Sequence, residues 1–138
     1  MRINYLAVIV AGLANWLLGW LWYGVLFSKK WIELMGWDEQ KLAQVQQQGE
    51  IKPMIYSFAG ALVTALILAF IYARAEINNW LDGLKYAAFI WLGFVALIGM
   101  DTVLFEERKY GLYQINSGYH LVGLLIAGAI IGAWRKKG

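Results

Sequence analysis

The sequence contains no cysteine, a single proline and a single histidine, and only 15% of its 138 residues are charged. Without cysteine there is no disulfide, no thiolate nucleophile and no sulfur ligand, and redox compartment leaves no trace. One histidine and a few scattered carboxylates are too few ligands for a metal centre. No HExxH motif, no serine nucleophile with a recognisable base and no phosphate-binding glycine loop occurs. These absences predict a chain that is not an enzyme and needs neither cofactor nor metal. The net charge of +3 sits at segment ends and forms no basic face for nucleic acid. A soluble domain carries about 25% charged residues, so the shortage of charge is itself the main signal.

Hydrophobic residues make up 61% of the chain, and they gather in long blocks. Residues 3–28, 53–73 and 110–134 carry no acidic or basic residue apart from His120. Residues 86–105 are broken only by Asp101. A bilayer core of about 30 Å needs about 20 apolar residues in helical form. A soluble bundle would instead alternate polar and apolar faces near a 3.6-residue period, and these blocks are apolar on nearly all sides. The expected fold is an all-α membrane domain, residues 1–138, with four transmembrane helices at about 3–27, 53–74, 83–105 and 112–134. The first block is too long for a signal peptide and lacks a small-residue cleavage site, so an uncleaved first helix is expected.

The long connection from Ser28 to Lys52 divides at Gly36. Residues 29–35 mix Trp31, Ile32, Leu34 and Met35 with charges, which suits a short amphipathic helix at headgroup level. Asp38 is placed to cap a second short helix that Gly49 would stop. Pro53 opens the second span, where proline fits best. Trp22, Tyr23, Trp31, Tyr56, Tyr72, Trp80, Tyr86, Tyr113 and Trp134 mark the interfaces, as amphipathic rings do. Trp16, Trp20, Tyr23 and Phe27 form a stripe at helical spacing, read as lipid contact or packing.

Four spans put both termini on one side. Arg2, Arg74, Lys85, Arg135, Lys136 and Lys137 flank that side, and Lys29, Lys30, Lys41, Lys52, Arg108 and Lys109 flank the other, six against six. The positive-inside rule is nearly a tie. The clustered C-terminal tail and the free amine favour cytoplasmic termini in a cell inner membrane. The tie also permits dual insertion and antiparallel dimers.

Polar groups at membrane depth are costly and face protein or water. At 1.5 Å per residue, Asn15 and Thr64 fall near the midplane. Ser57, Asp101, Thr102, Asn116, Ser117 and His120 fall in the half nearest the first and third loops. Asn116 and Ser117 lie four and three residues before His120 and share its helix face. Asp101, Asn116, Ser117 and His120 are therefore the candidate polar pocket. Bonded packing of His120 and an interfacial role for Asp101 are the bland alternatives. Small residues recur every four positions at Ala7, Ala11, Asn15 and Gly19, and at Ala61, Ala65, Ala69 and Ala73, and Gly128 with Gly132 makes a GxxxG. Such stripes let helix backbones approach. Asn15, Gly19, Ala65, Gly128 and Gly132 are the expected packing positions, within one subunit or between copies.

Gly19-Trp20-Leu21-Trp22-Tyr23 with Phe27, Lys30, Trp31 and Gly36, and Ile115-Asn116-Ser117-Gly118-Tyr119-His120 with Gly128 and Trp134, resemble a bacterial family of small membrane proteins. That family is catalogued as domain of unknown function number 1761. The resemblance implies a four-helix membrane fold and no activity. Size and charge balance are also similar to small multidrug resistance transporters, but the middle of the first helix offers Asn15 where those proteins use an acidic residue. Three readings follow. The first is a small-solute or ion-permeating, transport-type homo-oligomer using the polar pocket. The second is a non-catalytic component that binds a partner through the long loop. The last is a lipid-modifying enzyme. Lipid bilayer and further copies of the chain are the partners expected.

Overall fold

The computed structural model describes residues 3–48, 51–106 and 109–134, and only the backbone of residues 42, 45–48, 51 and 52. Arg2, Gly49, Arg108, Arg135, Lys136 and Lys137, to which the sequence assigns flanking or stop roles, lie outside the described residues. Every element among the described residues is helical. Four spans are long and apolar enough to cross a membrane: Tyr5–Leu26, Pro53–Arg74, Trp80–Leu104 and Tyr110–Ala133. The chain is an all-α, multi-pass membrane protein.

Local chemistry sets the ends. The first span begins as α1 (Tyr5–Leu21) and continues as a π-helical stretch, Trp22–Leu26. Asn4 caps it, its Oδ1 accepting from the Leu6 and Ala7 amides at 3.1 and 3.3 Å. Asn4 Nδ2 donates to Trp134 O at 3.1 Å and ties the start of the first span to the end of the fourth. The short helix α2 (Ser28–Met35) ends at Gly36, whose φ of 73° is left-handed. The Trp37 amide then closes on Ile32 O at 3.4 Å, a Schellman-type stop that favours glycine. Asp38 Oδ1 accepts from the Lys41 amide at 2.8 Å at the head of α3 (Glu39–Gln48).

The second span lies in α4 (Ile51–Arg74), so Pro53 sits in the first turn and does not open the helix. The third starts at Trp80, ahead of the expected Gly83, because the Asn79 side chain caps it by accepting from the Asp82 amide at 2.8 Å. It is a broken rod: α5 (Trp80–Trp91), a π-helical stretch Leu92–Ala96, α6 (Leu97–Gly99), a turn at Met100 and α7 (Asp101–Leu104). The fourth span, α8 (Tyr110–Ala133), starts before the expected Leu112 and takes Gly111 into its first turn.

The fourth span is central and packs against all three others, while the first also packs on the second. The shared core lies in the half carrying the termini: Val8, Ala11, Ala65, Leu68, Ala69, Tyr72, Ile77, Ala127 and Ile131 are buried together. Small residues make that possible. Ala11 and Ala65 are fully enclosed. Gly83 and Gly128 pack backbone to backbone, and a Cβ on Gly128 would stand 2.6 Å from Gly83 O. Gly132 sits as tightly on Asn79 O. Tyr72 Oη donates to Gly83 O at 2.6 Å and links the second span to the third.

Candidate functional site

Towards the first and third loops the bundle opens. Neither Leu92–Ala96 nor α6 packs appreciably on the second span. The resulting groove has a volume of about 1260 Å³. Its floor is the fourth span at Tyr113, Asn116, Ser117 and His120. One wall is the first span at Trp16, Trp20 and Tyr23, and the other is the third span at Phe94, Ile98 and Thr102. Pro53, Met54 and Ser57 edge it from the second span, and α2 covers its loop end with Trp31, Ile32 and Met35. No Lys, Arg, Asp or Glu lines it among the described residues.

Both π-helical stretches border this groove, Tyr23–Gly24 on one wall and Phe94–Val95 on the other. A π turn inserts one residue and re-aims the side chains that follow, and such turns often occur at functional sites. The i→i+5 bonds are formed, with the Phe27 amide on Trp22 O and the Leu97 amide on Leu92 O. Aromatic donors brace the same region. Trp22 Nε1 donates to Ile115 O at 3.0 Å, and Trp91 Nε1 to Ser117 O at 2.8 Å. Tyr113 Oη donates to Ala96 O at 2.7 Å, and Tyr119 Oη to Asn15 O at 3.2 Å. The rings of Tyr23, Tyr119 and His120 follow one another, with centroids 5.3 Å and 5.1 Å apart.

Asn116, Ser117 and His120 share the groove, and Asp101 is exposed and is not among the lining residues. Asn116 is exposed, and its Oδ1 accepts from Tyr23 Oη at 2.7 Å. His120 also faces the groove and makes no hydrogen bond among the described residues. Ser117 is 5% exposed, and its hydroxyl oxygen is buried without a partner among the described residues. Thr102 Oγ1 is occupied by Gly99 O at 2.8 Å. Of the packing positions, Ala65 faces the first span in the core, and Gly128 and Gly132 face the third. Gly19 lies against Tyr119 Oη. Asn15 bonds back to Ala11 O at 3.4 Å and packs its Oδ1 on Gly123, so its hydrogen bond is within its own helix.

Sequence reasoning assigned Trp22 and Tyr23 to the interface and the stripe of Trp16, Trp20, Tyr23 and Phe27 to lipid or packing. The structure turns Trp22 onto the fourth span, packs Phe27 on Trp22 with centroids 4.8 Å apart and lines the groove with Trp16, Trp20 and Tyr23. The available signal was the coincidence in depth of that stripe with Asn116 and His120. No ligand set of three or more His, Asp or Glu groups occurs among the described residues.

Residues 6–132 match the family model described as Protein of unknown function (DUF1761). The chain belongs to this family. The matched range takes in all of the groove's lining residues. No curated protein and no solved structure matches the chain significantly.

Proposed function

We propose that the chain is a non-catalytic, transport-type membrane protein that receives a small solute in the groove of its first-loop half. The observation that carries this reading is an uncharged cavity at membrane depth holding open polar groups, Asn116 and His120, in an aromatic frame. Polar groups facing hydrocarbon would have no compensation, so their presence on a cavity wall argues for a solute or water there. Ion permeation is the weaker alternative, because among the described residues no charged side chain lines the cavity to replace an ion's hydration. A lipid-modifying site pairing Asp101 with His120 is disfavoured, since Asp101 is not among the groove's lining residues.

The working unit in this reading is a homo-oligomer, since one groove reaching part-way through the bundle gives no complete path. The membrane is the cell inner membrane, with both termini cytoplasmic. Single cysteines at Gln47 and Gly138 test the orientation in intact cells with an impermeant thiol reagent. Labelling at position 138 and not at 47 refutes cytoplasmic termini.

The groove itself is tested with Asn116→Cys and His120→Cys in a background that holds no other cysteine. Both are expected to react with small water-soluble thiol reagents from the first-loop side, while Ile131→Cys, in the core, stays unreactive. If both variants fold and neither reacts, the groove is closed and the transport reading fails.

A further inference from the structure

Resting on the groove reading, the geometry points to the class of ligand: an uncharged, carbonyl-bearing amphipath drawn from the bilayer, with its oxygen held by Asn116 and His120. Three observations lead there. First, the lining among the described residues has no Lys, Arg, Asp or Glu, so an ionic ligand would surrender its hydration with no countercharge in return. Second, the polar groups left open include hydrogen-bond donors on adjacent turns. Asn116 Oδ1 is taken by the Tyr23 hydroxyl at 2.7 Å, which leaves the two N–H bonds of its amide nitrogen without a partner among the described residues. His120, one turn on, keeps its ring N–H free among the described residues. Of the other polar side chains around the cavity, Tyr113 donates to Ala96 O, Tyr119 to Asn15 O and Thr102 to Gly99 O, while Ser28 and Ser57 also line it. Aromatic faces alone would also hold an organic cation, but unpartnered N–H groups beside them favour a carbonyl oxygen over a cation.

Third, the groove is also open at its side. The α2 helix lies over part of its loop end, and the second and third spans do not close on each other beside it. At about 1260 Å³ the groove exceeds the roughly 300–1,000 Å³ of ordinary small-ligand pockets, as a ligand with a chain trailing into the bilayer would require. Two sources share this chemistry, a prenyl- or alkyl-quinone and a neutral glyceride, and the ring walls at Trp20, Tyr23 and Tyr119 suit the flat head of the first.

The test uses the full chain in phosphatidylcholine vesicles and an alkyl-benzophenone photoprobe, itself an uncharged aromatic ketone. Crosslinked peptides are mapped by mass spectrometry. Unlabelled decyl-benzoquinone, dioctanoylglycerol and tetraphenylphosphonium are added as competitors. The expected result is labelling concentrated on groove residues and displaced by the quinone or the glyceride, with whichever competes better naming the source. Asn116→Leu and His120→Leu should each weaken that displacement by about five- to tenfold, the loss of one hydrogen bond. His120 has no hydrogen bond to lose among the described residues, so its variant remains informative should Asn116→Leu fail to fold.

Labelling spread evenly over the lipid faces and unchanged by either substitution overturns the proposal. So does preferential displacement by tetraphenylphosphonium, which would make the groove a cation site. Failure in either way alongside reactive cysteines at positions 116 and 120 condemns the ligand class alone. Unreactive cysteines condemn the groove.

Discussion

The two ends of this bundle use opposite kinds of residue. At the terminal end, helices meet through Ala7, Ala11, Ala65, Ala69, Gly83, Gly128 and Gly132, with backbones in near contact. At the loop end they meet through the rings of Trp22, Tyr23, Trp91, Tyr113 and Tyr119, each donating a hydrogen bond to the next helix. Lipid tails are as apolar as leucine, so helix association in a membrane draws on close packing and hydrogen bonds. Small residues give the first and bring the axes together. Large rings hold the axes apart, and the space left between them is the groove. The same four helices are thereby a clamp at one end and a vessel at the other.

Glycine substitutions should break this comparison most sharply. A leucine at Gly128 has no room, since even a Cβ would meet Gly83 O at 2.6 Å and Ala87 Cβ at 2.9 Å. Overpacking costs about 1–3 kcal/mol and occasionally more, and a backbone neighbour that cannot yield puts Gly128→Leu at the top of that range or beyond. A Cβ on Gly93, in the groove half, would find nothing within 4 Å, so Gly93→Leu should cost little. Detergent-titration unfolding of both variants is the measurement. Equal losses would mean that both ends are packed alike.

Paired tyrosines test the same contrast on a smaller scale. Tyr72 is wholly buried, and its hydroxyl donates to Gly83 O at 2.6 Å. Tyr23 donates to Asn116 at 2.7 Å on the wall of an open cavity. Hydrogen bonds between membrane helices average about 0.6 kcal/mol and reach about 1.7. Tyr72→Phe should fall near the upper figure, because nothing can replace the lost donor in the clamp. Tyr23→Phe should fall near zero, because water can serve Asn116. The reverse order, read from the same unfolding curves, would put the dry half at the loop end.

The four spans were legible in sequence because a run of about 20 apolar residues has few other uses. The gathering of polar residues in one half was legible too, since depth follows from counting along a helix. Less was legible about which way each side chain faces. In a helix apolar on all sides the hydrophobic period vanishes, and Trp16, Trp20 and Tyr23 read equally as lipid anchors or as cavity walls. The π turns at Trp22–Leu26 and Leu92–Ala96 carry no sequence signature, yet they re-aim the residues that follow. Thr102, next to Asp101 in the same short helix, lines the groove while Asp101 does not, because equal depth does not fix which way a side chain faces.

The smallest expected effect belongs to Ser117, and it sharpens the contrast most finely. Its backbone carbonyl belongs to the bracing, since Trp91 Nε1 donates to it at 2.8 Å. Its hydroxyl oxygen is covered in the groove floor with no partner among the described residues. Leaving a buried polar group unmet is unfavourable, a burden that Ser117→Ala would lift while keeping the carbonyl and nearly the same volume. The variant should therefore unfold at an unchanged or slightly higher detergent fraction, and cysteine reactivity at Asn116→Cys in the same background should persist. A clear loss of stability would mean that the hydroxyl is engaged in the ligand-free membrane state, by water or by a shifted carbonyl, and that the floor of the groove is already satisfied without a ligand.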